Sequence, residues 1–217
     1  MTATPLPPLP PLLGADESDA HPGGPSMLDV LTEEHHQLAD LYQELAAYQE
    51  PVAAGEDRAV DDARLAALTS ALAATLTRHL SAEEQYLYPT VRAVLPDGER
   101  LARVEIDADE AISHALRRLE AGPPADLRGL EEVEPALRLH IRRAEESLFP
   151  RLRAALDEND LIRLGNRVQI AEEAAPTRPH PGTPFTPPWN KLVEPAVGVV
   201  DKVRDVATRR TTRVEDL

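Results

Sequence analysis

His79–Pro89 reads HLSAEEQYLYP, and His140–Pro150 reads HIRRAEESLFP. Set against each other at an offset of 61 residues, they align His79 with His140, Glu84 with Glu145, Leu87 with Leu148, Tyr88 with Phe149 and Pro89 with Pro150. Two unrelated helices rarely share a histidine, a glutamate, an apolar pair and a proline in one register. The chain therefore reads as two related helical hairpins. Each stretch also sets a histidine and glutamates into a run that otherwise has the pattern of helix core, and those side chains need a chemical reason to be there.

Working outward, four segments carry apolar residues at helical spacing. They span roughly 27–49, 61–95, 98–120 and 131–156. Leu31, Leu38, Leu41 and Leu45 mark the inner face of the first, and Leu65, Leu68, Leu72 and Leu76 that of the second. Leu101, Ile112, Leu116 and Leu119 mark the third, and Val133, Leu137, Ile141 and Leu148 the fourth. The breaks EPVAAGED, LPDG and AGPPAD are turn chemistry. Short breaks make successive helices antiparallel neighbours, so the expected architecture is all-α, an up-down-up-down four-helix bundle. A short fifth helix is expected over 158–174.

Composition agrees. Of 217 residues, 42% are hydrophobic and only 3% aromatic, so the core must be built from Leu, Ala and Val, which suits packed helices. The absence of cysteine excludes disulfides, thiolate metal sites and cysteine nucleophiles. A formal net charge of −15 leaves no basic surface for phosphates, so nucleic acid is not an expected partner. Residues 1–26 and 176–217 hold seven prolines each and read as flexible tails. The N-terminus lacks a basic start and an apolar run, and no stretch approaches the length of a membrane span. A cytoplasmic protein is expected. Residues 190–210 are valine-rich and end in arginines, a pattern that suits weak docking on a partner or membrane surface. No Gly-rich phosphate loop, G-x-S-x-G or H-E-x-x-H is present, which argues against phosphoryl transfer and common hydrolytic chemistries.

At about 100° per residue, His79 and Glu83 fall within the apolar stripe of the second helix, one turn apart, with Glu84 on its shoulder. His140 and Glu145 flank the stripe of the fourth. In LTEEHHQLADLYQEL, His35 lies inside the stripe of the first helix and His36 faces water. Tyr42 and Tyr86 also sit on inward faces. Three helices thus send histidines toward one interior, and two of them add glutamates. Burying carboxylates there without partners is costly, whereas a bound metal ion removes that cost. Imidazole and carboxylate ligands without sulfur suit iron, manganese or zinc. A Glu five residues after its His points about 140° around the helix, which suits a second or bridging contact and favours two metals over one.

This pattern resembles the hemerythrin-like, HHE cation-binding family over roughly residues 27–156. It consists of a His on the first helix, H-x-x-x-E followed by L-Y-P on the second, and H-x-x-x-x-E followed by L-F-P on the fourth. The resemblance implies a four-helix bundle around a non-haem di-iron centre with terminal histidines and bridging carboxylates. Carried over position by position, His35, His79 and His140 are terminal ligands, and Glu83 and Glu145 are bridges. The third helix departs from the family, which places histidines there. Asp109 occupies the matching position. Glu105, one turn earlier on the same face, and His114, on the far face, are alternatives. A carboxylate in place of histidine makes the site more anionic and favours the oxidised metal. That argues against simple reversible oxygen carriage.

The reading that results is a carboxylate-bridged two-iron protein that binds or reacts with dioxygen, peroxide or nitric oxide. Peroxide- or nitric oxide-processing activity is one form of it. An iron or redox sensor signalling through its tails, or a metal-free helical scaffold, are the competing expectations.

Overall fold

The computed structural model describes residues 23–48, 58–122, 128–175, 177, 205 and 211–213. The described residues form an all-α bundle of five helices with no strand. Helix α1 is Met27–Ala47. Helix α2 begins as Arg58–Ala82, passes through a π-helical turn at Glu83–Leu87 and resumes as Tyr88–Val94. Helix α3 is Gly98–Ala121. Helix α4 begins as Arg128–Arg143, passes through a π-helical turn at Ala144–Leu148 and ends as Phe149–Ala155. Helix α5 is Glu158–Ala174.

Local chemistry sets the ends. The Ser26 hydroxyl accepts from the Asp29 backbone N–H and donates to the Asp29 carboxylate, which caps α1. Asp157 caps α5 by accepting from the Asp160 N–H. Gly98 opens α3 where the backbone comes very close to α2; a Cβ there would lie 2.1 Å from the Val91 carbonyl oxygen. Gly165, midway along α5, permits a similar approach, since a Cβ there would lie 2.3 Å from the Pro25 carbonyl oxygen. The fifth helix is thereby seated against the start of α1.

The two π turns occupy the same place in the repeat. In each, the residue after the turn donates its N–H five residues back, Tyr88 to the Glu83 carbonyl and Phe149 to the Ala144 carbonyl. Pro89 and Pro150 follow immediately and have no N–H with which to continue the ordinary α ladder. A π turn widens the helix by one residue and recurs at functional sites. Uniform helical-wheel spacing did not foresee it.

Two apolar clusters fill the bundle. One gathers Leu28, Leu31, Leu87, Tyr88, Leu148 and Phe149 with Leu161, Leu164 and Val168 of α5. The other gathers Leu38, Leu45, Leu72, Leu76, Ile112, Leu116 and Leu137. Along α1, α2 and α4 the histidines and Glu83 fall between residues of the first cluster and residues of the second, in a polar layer of the core.

Residues 1–22 and most of 176–217 lie outside the described residues, and with them the flexible-tail and docking expectations. Of residues 190–210 only Asp205 is described; it is buried and accepts a hydrogen bond from Thr177. No described helix is long and apolar enough to cross a membrane.

Candidate metal centre

His35 reaches the polar layer from α1, His79 and Glu83 from α2, and His140 from α4. All four are at most 2% exposed. The ring centroid of His35 lies 4.8 Å from that of His79 and 5.5 Å from that of His140, and the latter two are 5.5 Å apart. One donor atom from each of the four residues lies within 4.8 Å of all the others. The carboxylate of Glu83 splits its oxygens between two rings. Its Oε1 is 3.5 Å from His79 Nε2, and its Oε2 is 3.4 Å from His140 Nε2.

A second ring of carboxylates surrounds these groups and takes the other imidazole nitrogens. Glu145 Oε1 is 2.8 Å from His35 Nδ1, and Glu34 Oε2 is 2.8 Å from His79 Nδ1. Asp109 Oδ1 is 3.2 Å from His140 Nδ1. A carboxylate only accepts, and a neutral imidazole has one N–H. For His35 and His79 the Nδ1 therefore carries the hydrogen and Nε2 presents a lone pair inward; His140 Nδ1 and Asp109 Oδ1 stand at ion-pair distance without a well-directed hydrogen bond. That orientation matches the carboxylate–histidine pairs that hold metal-binding imidazoles in one tautomer. Tyr88 links the two rings: its hydroxyl lies within hydrogen-bond distance of Glu83 Oε2 (2.8 Å) and of Asp109 Oδ2.

The arrangement fits a cation and makes little sense without one. His79 Nε2 and His140 Nε2 are 3.3 Å apart, close enough to share a single hydrogen carried by His140 or to grip one ion between them. His35 Nε2 and Glu83 Oε1 are buried with no hydrogen-bond partner. Such orphaned groups are rare in native cores. Burial, with His79 and His140 nearby, drives the His35 pKa far below the ordinary imidazole value. Burial also lowers that of His79. Both rings are thus neutral and ready to ligate. For His140, burial acts downward, but Glu83 and Asp109 beside it raise the value to about 9. Burial raises the Glu83 pKa, against the pull of His140 and His79.

Each residue singled out by sequence can now be placed. His35, His79, Glu83 and His140 meet. Glu145 and Asp109 stand one layer further out, against Nδ1 atoms. Glu105 is buried on α3 near Arg143, 3.7 Å away. His114 is part-exposed, 3.9 Å from Glu110, and takes no part. Glu84 is buried next to the site, Tyr86 is buried, and Tyr42 is only half-buried. Sequence reasoning missed Glu34 and Tyr88. Glu34 stands next to His35 in TEEHH and looks like a solvated acid. Tyr88 was visible as the aromatic of the L-Y-P repeat, but its hydroxyl, absent in the matching Phe149, was not read as a donor.

Comparisons with known proteins agree with this geometry. An uncharacterized hemerythrin-like protein of Schizosaccharomyces pombe is 24% identical over 135 residues, which are 60% of this chain and 66% of that protein. The chain thus spans just under two thirds of that relative's length. No solved structure matches. Residues 26–152, more than half the chain, match the family described as the hemerythrin HHE cation binding domain. With the buried His/Glu cluster inside that stretch, the chain belongs to the hemerythrin HHE cation-binding family.

Proposed function

We propose that the chain is a non-haem iron protein whose buried His35, His79, His140 and Glu83 hold the metal and whose outer carboxylates set the ligands' orientation. The observation that carries this is the convergence of three imidazole rings and one carboxylate on a single dry spot, with no other partner for His35 Nε2 or Glu83 Oε1. Nitrogen and oxygen donors without thiolate suit iron among the common metals. When bound, iron supplies a Lewis-acidic, redox-active centre for a small ligand such as dioxygen, peroxide or nitric oxide.

The chain's own residues do the rest. Glu145 and Glu34 keep the tautomers of His35 and His79 fixed, and Asp109 stands beside His140 Nδ1. Tyr88 orients Glu83. The Leu-rich clusters on either side exclude water. A cavity of about 340 Å³ between α1 and α4 is floored by Leu137 and Ile141, and Glu145 lines it. Glu145 is the most exposed of the three outer carboxylates, so this seam offers a small molecule a path to the back of His35.

The donor set suits one ion. Two irons bridged by Glu83 and Glu145 form a second reading, favoured by the way Glu83 offers one oxygen to His79 and the other to His140. It requires Glu145 to leave His35 Nδ1. Elemental analysis of protein from iron-supplemented cells separates these readings. About one iron per chain supports the single-ion site and about two the bridged pair. A value near zero removes both.

A further inference from the structure

The cavity of about 340 Å³ in the seam between α1 and α4 is larger than a diatomic or peroxide ligand needs. One water's share of the liquid is only ~30 Å³. Pockets of this size take organic molecules, which lay an apolar part on an apolar wall and are oriented by a few polar groups. Leu137 and Ile141 of α4 and Ala39 of α1 supply the apolar wall. Leu137 is buried, and the other two are half-buried.

The charged rim is only partly paired. Arg138 is ion-paired with Glu134, and Glu145 is held by His35 Nδ1. Arg142 and Glu146, both exposed, make no ion pair or side-chain hydrogen bond among the described residues. On a regular helix an arginine and a glutamate four residues apart are neighbours. The π turn at Ala144–Leu148 contains Glu146 and changes that spacing. The rim therefore offers one free positive and one free negative group beside an apolar wall.

We propose that this cavity binds a small zwitterion with an apolar side chain, of the chemical class of the apolar amino acids. Its carboxylate pairs with Arg142, its ammonium group pairs with Glu146, and its side chain lies on Leu137 and Ile141. A purely anionic ligand meets an excess of carboxylates in the lining, Glu134, Glu145 and Glu146 against Arg138 and Arg142. A purely cationic one leaves Arg142 unpaired and repelling it. The occupant lies beside Glu145, which accepts from His35 Nδ1, and so closes the seam toward the centre. The proposal goes beyond the metal-binding reading and does not depend on it.

The test titrates the full chain with three probes of similar shape, followed by saturation-transfer NMR. Phenylalanine is the zwitterion, phenethylamine the cation and 3-phenylpropionate the anion. Phenylalanine is expected to bind with Kd on the order of 1 mM. Each of the others should bind about three- to fivefold more weakly, the worth of one exposed ion pair. Arg142→Gln should abolish the preference over phenethylamine, and Glu146→Gln the preference over 3-phenylpropionate. Both positions are exposed, and circular dichroism confirms that each variant is helical. No saturable phenylalanine binding at about ten times the expected Kd would overturn the proposal. So would a singly charged probe that binds as tightly as phenylalanine, or variants that keep the wild-type order of affinities. Metal content does not enter the readout, so failure here and failure of the metal-binding reading are told apart.

Discussion

Tyr88 shows how much one hydroxyl can hold. It is 1% exposed and contacts both the inner carboxylate Glu83 and the outer carboxylate Asp109. Tyr88→Phe leaves the ring's packing in place and removes that donor. Metal affinity measured by competition is expected to fall about 10- to 100-fold. Stability of the metal-free fold should drop by about 1.5–3 kcal/mol, the range for hydrogen bonds to charged groups. His140 sets the pH dependence. Its pKa of about 9 in the metal-free protein means that binding expels a proton at any pH below that value. Apparent affinity should therefore rise about tenfold per pH unit up to roughly pH 9 on account of this group, and then level off. An affinity that is flat from pH 7 to 9 would show that His140 is not a ligand. The sign for folding is the opposite. A group whose pKa is raised on folding stabilises the metal-free fold most below its ordinary value of 6.5, and that contribution fades as pH rises through about 9. At this scale the inward direction of His35, His79, Glu83 and His140 was legible from spacing. Spacing gives direction but not depth. It could not say that Asp109 and Glu145 stop one layer short, against Nδ1 atoms.

The helices explain why those depths come out as they do. Each π turn begins where a glutamate or its repeat partner stands, Glu83 on α2 and Ala144 on α4. The widened turn on α2 buries Glu83, Glu84, Tyr86 and Leu87 together, more than a regular helix brings to one face. The repeat with its prolines was plain in the sequence, but its consequence for helix winding was not. The wheel assumes 3.6 residues per turn throughout. The existence and order of all five helices were legible, because Leu spacing and Pro/Gly breaks agree along the whole bundle. What α5 does was not legible, since its contacts are long-range. Its seat can be tested directly. Gly165→Ala would set a Cβ 2.3 Å from the Pro25 carbonyl oxygen and 2.8 Å from the Met27 nitrogen. Denaturant unfolding should show a loss of about 1–3 kcal/mol, with hydrogen exchange rising first in α5 and the start of α1. Unchanged stability would mean that α5 is not held there.

For the whole molecule, the polar layer sits between two apolar clusters and weakens the fold when no ion is bound. Metal-free protein should therefore fold less stably than the loaded protein. At free metal 100 times the dissociation constant the gain is about 2.7 kcal/mol, which for a chain of this size is a rise in Tm of about 5–10 °C. Chelation should reverse it, and calorimetry with and without chelator is the check. The overall class, an acidic helical bundle with a His/carboxylate interior, could be read from composition, the helical spacing of apolar residues, the short breaks and the 61-residue repeat. The number of ions could not, because it depends on distances of a few ångströms between side chains on different helices. The most direct measurement is metal content by elemental analysis of the full chain from iron-supplemented cells, beside a His79→Ala variant confirmed as helical. The account predicts about one iron or more per wild-type chain and almost none in the variant. Iron near zero in the wild type, or undiminished in His79→Ala, would contradict it.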